Sequence, residues 1–150
     1  MTTCGVTPYF TRHVGWLAGA ALLLVAAGAR ADDAVDVILA DQGMESMHME
    51  FSKTEVKAGK VTFNVSNKSE TLVHEFVVVA SGDAVELWPY NDSEQEVQED
   101  ALKVVNEIED IEPGKSGTLT VELSPGKYTM FCNIAGHFKA GMVHPLTVTE

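Results

Sequence analysis

The stretch FCNIAGHFKAGM, Phe131 to Met142, decides how this 150-residue chain is read. It sets Cys132, His137 and Met142 five residues apart, three side chains that donate to soft or borderline metals. Gly136 and Gly141 lie between them and let the backbone turn tightly while the side chains converge. Before it runs YTMFC and after it VHPLTV, two strand-like segments. The stretch is therefore expected to be a loop joining two strands near the end of the chain.

The other end has a different character. A short polar region with Arg12 as its only fixed side-chain charge precedes WLAGAALLLVAAGA, Trp16 to Ala29. Ala29-Arg30-Ala31 then fits the small-x-small cleavage pattern, so residues 1–31 are expected to be a cleaved export signal. The alternative, a retained anchor, is weakened by length, since a span needs about 20 apolar residues. The remaining domain, 32–150, is long enough for one core. It keeps eight Lys and no Arg against 22 acidic residues, a formal excess of 14 negative charges. Such a charge disfavours nucleic acid or an anionic membrane surface and suits a soluble protein with a basic partner. Cys4 leaves with the signal, so Cys132 is the sole remaining thiol and no internal disulfide can form.

Most of the mature chain reads as short strands. Val35 to Leu39, Met47 to Phe51, Lys60 to Ser66, Gly117 to Leu123, Tyr128 to Cys132 and Met142 to Thr149 are strand candidates. Leu72 to Ala80 (LVHEFVVVA) is apolar almost throughout, as expected for a strand covered on both faces. Turn signals stand at Ala58-Gly59, Asn67-Lys68, Pro113-Gly114 and Pro125-Gly126. About seven strands with antiparallel-style patterning point to an all-β, Greek-key β-sandwich. Ser93 to Glu107 departs from this. Ser93 and Glu96 form a capping-box pattern, and Val97, Ala101, Val104 or Val105, and Ile108 recur at helical spacing. One short acidic helix is expected there, its Glu94, Glu96, Glu99, Asp100 and Glu107 forming either a solvated face or a docking surface.

A thiolate with two imidazoles and a weaker thioether suits copper in a trigonal electron-transfer site. Structural zinc would want four Cys or His ligands, usually in close pairs, which this sequence lacks. The loop needs one more His. His74 is the best candidate, although a His in so apolar a strand is also readable as a hydrogen-bonded core residue.

In this order the residues resemble the cupredoxins, the type 1 blue or green copper proteins of the plastocyanin, azurin and rusticyanin superfamily. GHFKAGM, with Cys132 four residues before its Gly136, is similar to their ligand loop, and VHEFVV to the strand carrying the first His ligand. The likeness runs from KTEVKAGKVTFNVSN to the last strand. It implies one type 1 copper ion, with His74, Cys132 and His137 as strong ligands and Met142 as the axial one. It also implies electron exit through the edge of His137, with Ala135, Phe138, Ala140 and Pro145 as an apolar contact patch for a redox partner, such as a basic cytochrome or a copper oxidase. One position departs from the family. Where many members carry Asn or Ser after the first His, this chain has Glu75 as a neighbour that tunes the ligands.

A second cluster lies in GMESMHMEF, where Met44, Met47, His48 and Met49 fall within six residues, with His144 as a further donor. It is readable as an accessory site for a second copper, as Cu(I). It is equally readable as core, because Met47, Met49 and Phe51 share a strand face. Two functions follow: an exported, periplasmic carrier of single electrons, or a copper-tolerance protein that binds or oxidises excess Cu(I). A Cys-His hydrolase is disfavoured, because no third group orients His137 and Met142 would be unexplained.

Overall fold

The structure, a computed structural model, describes residues 1–2, 32–44 and 46–150. The expected signal, 1–31, lies outside the described residues but for its first two. Among the described residues no helix is long and apolar enough to cross a membrane.

Eleven strands are found among the described residues. They are β1 (Asp33–Asp41), β2 (Met47–Phe51), β3 (Glu55–Lys57), β4 (Gly59–Asn67), β5 (His74–Val79), β6 (Tyr90–Asn91), β7 (Glu96–Val97), β8 (Val104–Ile111), β9 (Ser116–Leu123), β10 (Gly126–Phe131) and β11 (Val143–Thr149). One sheet has the order β2-β1-β4-β9 and the other β3-β11-β10-β5-β8, while β6 and β7 form a separate hairpin. This is the expected Greek-key β-sandwich. Pairing is not antiparallel throughout, since β1 runs parallel to β4 and β3 parallel to β11.

The core follows from alternation. Val35, Val37 and Leu39 of β1, Val61, Phe63 and Val65 of β4, and Val121 and Leu123 of β9 turn inward against Phe76, Val78, Met130, Leu146 and Val148. The second sheet is also apolar on its outer face. There Val77, Val79 and Phe131 pack against Trp88 and Val97 from the connection between β5 and β8. That cover explains the unbroken apolar run of β5.

The acidic helix expected over 93–107 is not formed. Asn91 instead accepts hydrogen bonds from the backbone N–H and hydroxyl of Ser93 and from the N–H of Glu94. Gln95 adopts φ 61° and closes the β6–β7 turn by donating to the Asn91 carbonyl. Glu96 is thereby drawn into β7 instead of the first turn of a helix. Only a 3-10 turn at Glu99–Ala101 is helical, and the β-branched run beyond it pairs with the otherwise open edge of β5. Tertiary pairing outweighs local helix propensity here.

Asn67, buried at the end of β4, fixes the approach to the second sheet. Its Nδ2 donates to the carbonyls of Leu72 (2.8 Å) and Ile111 (2.7 Å), and its Oδ1 accepts from the Ser69 N–H (2.8 Å). Asn67→Ala strands three backbone groups away from water. It is expected to lower the unfolding free energy by about 2–4 kcal/mol, measured by urea denaturation.

Candidate metal centre

His74 opens β5, while Cys132 follows the last residue of β10. The two strands are neighbours in one sheet, so side chains 58 residues apart meet at its end. The loop from Cys132 to Val143 is wound into tight turns by bonds from His137 N–H to the Ile134 carbonyl, Ala140 N–H to Gly136 and Gly141 N–H to Phe138. Gly136 (φ 83°) and Gly141 (φ 108°) adopt left-handed backbone, and a Cβ on Gly141 would lie 3.2 Å from the Met47 carbonyl. The ends of the loop are tied, with Cys132 N–H donating to the Met142 carbonyl and Met142 N–H to that of His137, both at 3.1 Å.

Three donors converge as a result. His74 Nδ1 and His137 Nδ1 stand 3.1 Å apart, and Cys132 Sγ lies 3.4 Å from His137 Nδ1 and 3.9 Å from His74 Nδ1. His74, Cys132 and Met142 have no exposed surface and His137 has 3%. Burial is the main cause of every shift among them. It pushes the His137 imidazole down to about 4, moves His74 downward, and raises the Cys132 thiol to about 12. The pocket is thus built to hold neutral imidazoles, and metal binding has to displace the thiol proton. The Glu75 backbone N–H donates to Cys132 Sγ at 3.2 Å, a bond that favours the thiolate. A buried thiol, two Nδ1 atoms and a nearby buried thioether fit a borderline metal such as copper.

Several parts of this site were missed in the sequence. Asp41, at the end of β1, places Oδ2 3.2 Å from His74 Nε2. Asn133 clamps the loop from outside, accepting from Val97 N–H (2.8 Å) and donating to the Val97 carbonyl (3.0 Å) and Glu99 Oε1 (2.7 Å). Beside His137, Phe138 stacks on Trp88 (centroids 6.0 Å, 10°) and Tyr90 (6.2 Å), and Lys139 Nζ lies 3.8 Å above the Tyr90 ring. Asp41 opens an Asp-x-Gly turn signal, but nothing local connects it with His74, 33 residues on.

The Met and His residues of the second cluster are divided between core and surface. Met47 and Met49 are core, whereas Met44 is 53% exposed near Gly136. His48 points outward and bonds Glu50, and His144 stacks on Phe51 with centroids 4.2 Å apart. Ala135, Phe138 and Ala140 lie on the ligand loop, but Pro145 lines a separate groove with Gly82, Lys127 and Thr147.

The profile of the Cupredoxin-like domain family matches residues 14–143. The chain belongs to the cupredoxin-like family. Solved cupredoxin structures share its fold. Auracyanin B is 27% identical, with TM-score 0.59 over 79% of this chain and 89% of its own. Auracyanin A, a "blue" copper protein from Chloroflexus aurantiacus, is 19% identical, with TM-score 0.58 over 79% of this chain and all of its own. Rusticyanin from Thiobacillus ferrooxidans is 18% identical, with TM-score 0.58 over 77% of this chain and 76% of its own. No curated protein sequence matches the chain significantly.

Unlike the many cupredoxins with Asn or Ser at this position, the chain has Glu75, whose side chain points to Glu99 and Glu107. Burial first, and the charges of Glu99, Glu107, Glu109 and Asp110 after it, raise its carboxyl to about 7. The folded protein therefore binds a proton that the unfolded chain has lost between pH 4.5 and 7. Stability falls as pH rises through that window. Metal-free Glu75→Gln is expected to unfold about 1 kcal/mol harder than the metal-free parent at pH 8, with little difference at pH 4.5, by urea denaturation at both values.

Proposed function

We propose that this cupredoxin is an exported type 1 copper protein that carries single electrons between redox partners. The observation that carries the reading is the convergence of His74 Nδ1, Cys132 Sγ and His137 Nδ1 within 3.1–3.9 Å of one another in a buried pocket. These three would hold the ion, and Met142, clasped through its backbone to both Cys132 and His137, would add its thioether. Bound there, copper supplies one-electron exchange between Cu(II) and Cu(I) at a covalent thiolate. The chain's own part is to hold the donors still. The tied loop, the Asn133 clamp and the Phe138 stack resist rearrangement when charge changes, which keeps the barrier to electron exchange low.

The edge of His137 is the exit, and Ala135, Phe138 and Ala140 around it form the apolar contact surface. The acidic composition favours a basic partner, such as a cytochrome or a copper oxidase. Export rests on the leader pattern that ends at Ala31. With Met47 and Met49 in the core, the single-copper carrier is preferred to copper tolerance.

Protein recovered from an exported compartment is expected to hold one copper per chain and to show an intense thiolate-to-copper band. Cys132→Ala or His137→Ala abolishes that band, while Met142→Leu keeps copper and raises the reduction potential. Persistence of the band in Cys132→Ala refutes the assignment. A second bound Cu(I), lost on replacing Met44 and His48, would favour copper tolerance instead.

A further inference from the structure

We infer that Asp41 is a positioning residue of the centre: its carboxylate holds His74 in the tautomer that frees Nδ1 and keeps a negative charge against this ligand, biasing the site toward the oxidised metal. The inference rests on the copper reading above and adds a determinant of the potential to it.

The geometry is specific. Asp41 is the last residue of β1, paired with Met47 of β2, and only 6% of its side chain is exposed. Oδ2 lies 3.2 Å from His74 Nε2, and Oδ1 accepts the Gly43 N–H at 3.1 Å in an Asp-x-Gly turn, with Gly43 at φ 81°. Both carboxylate oxygens thus face nitrogen groups, the Gly43 N–H and the His74 ring, which places Asp41 as an acceptor.

A carboxylate can only accept here, so His74 Nε2 must carry the proton and donate it. Nδ1 is then the free lone pair, and it faces His137 Nδ1 and Cys132 Sγ. The partner also raises the basicity of the imidazole it holds. Its charge acts through a water-poor region, where electrostatic effects are larger than in solvent. A neutral acceptor at the same place would orient the ring without the charge. His137 has no protein partner at Nε2 among the described residues, so the two imidazoles are inequivalent.

The test separates orientation from charge. In copper-loaded Asp41→Asn the amide oxygen still accepts from His74, so the thiolate-to-copper band is expected to remain, with a more positive reduction potential by voltammetry. Cu(II) affinity is expected to fall by about 10–100-fold in competition titration. An unchanged potential and affinity would overturn the inference. Should the variant not fold, nitrogen NMR of the metal-free wild type at pH 7.5 decides the matter: His74 must be protonated at Nε2, and protonation at Nδ1 would refute it. Absence of a copper band in the wild type would defeat the copper reading alone, because the tautomer is read without metal.

Discussion

The structure depends on keeping polar donors neutral and mutually satisfied at the dry end of a β-sandwich. An unpartnered imidazole or thiol in such a place is costly, because it forfeits its bonds to water. Here the donors answer one another. His74 faces His137 and Asp41, and Cys132 faces His137 and the Glu75 N–H. The partners come from β1, β5 and the loop after β10, so one compact polar cluster joins segments far apart in the chain. Its members are hard to move singly, since displacing one leaves the others unpaired.

The sandwich supports this cluster from two sides. Inside, Phe76, Met130 and Leu146 carry the apolar core close to the ligands. Outside, the connection between β5 and β8 lies over the second sheet, where Trp88 and Val97 cover Val77, Val79 and Phe131. That connection also grips the ligand loop. The Gly136 N–H donates to the Gln95 carbonyl at 2.8 Å, and Phe138 inserts its ring against Trp88, Phe131 and Tyr90. Aromatic pairs of this kind contribute about 0.5–1.5 kcal/mol each beyond simple burial. The β6–β7 hairpin, which lies where a helix was expected, is therefore part of the support for His137.

What could be read in advance divides along the range of the interactions. Cys132, His137 and Met142 fall within one loop, and clean alternation marks β4 and β9, so the sequence carried those features locally. The burial of Met47 and Met49 was legible as one of two readings, and the outward turn of His48 follows from the same alternation. The helix expected at 93–107 failed because Asn91 captures the Ser93 N–H and the β5 edge takes up Val104–Ile111. Neither influence shows in helical spacing. Asp41 and Asn133 were silent for a related reason. Each acts on a partner more than 30 residues away, and an Asp before a Gly has an ordinary explanation as a turn residue.

The two neighbours of the centre act on it in opposite senses. The Glu75 N–H draws electron density from the Cys132 sulfur, which weakens donation and favours the reduced metal. Asp41 places negative charge behind His74 and favours the oxidised metal. The Glu75 carboxyl, one peptide unit from that N–H, would add to the effect of Asp41 if fully charged, but burial and its acidic neighbours hold its proton to about 7. Most of the chain's acidity stays in solvent, where salt screens it and its reach is short. The potential of the centre therefore follows less from the large net charge than from which carboxylate the fold brings into the dry region. That carboxylate is placed by the β1–β2 hairpin, a part of the chain that supplies none of the assigned copper ligands.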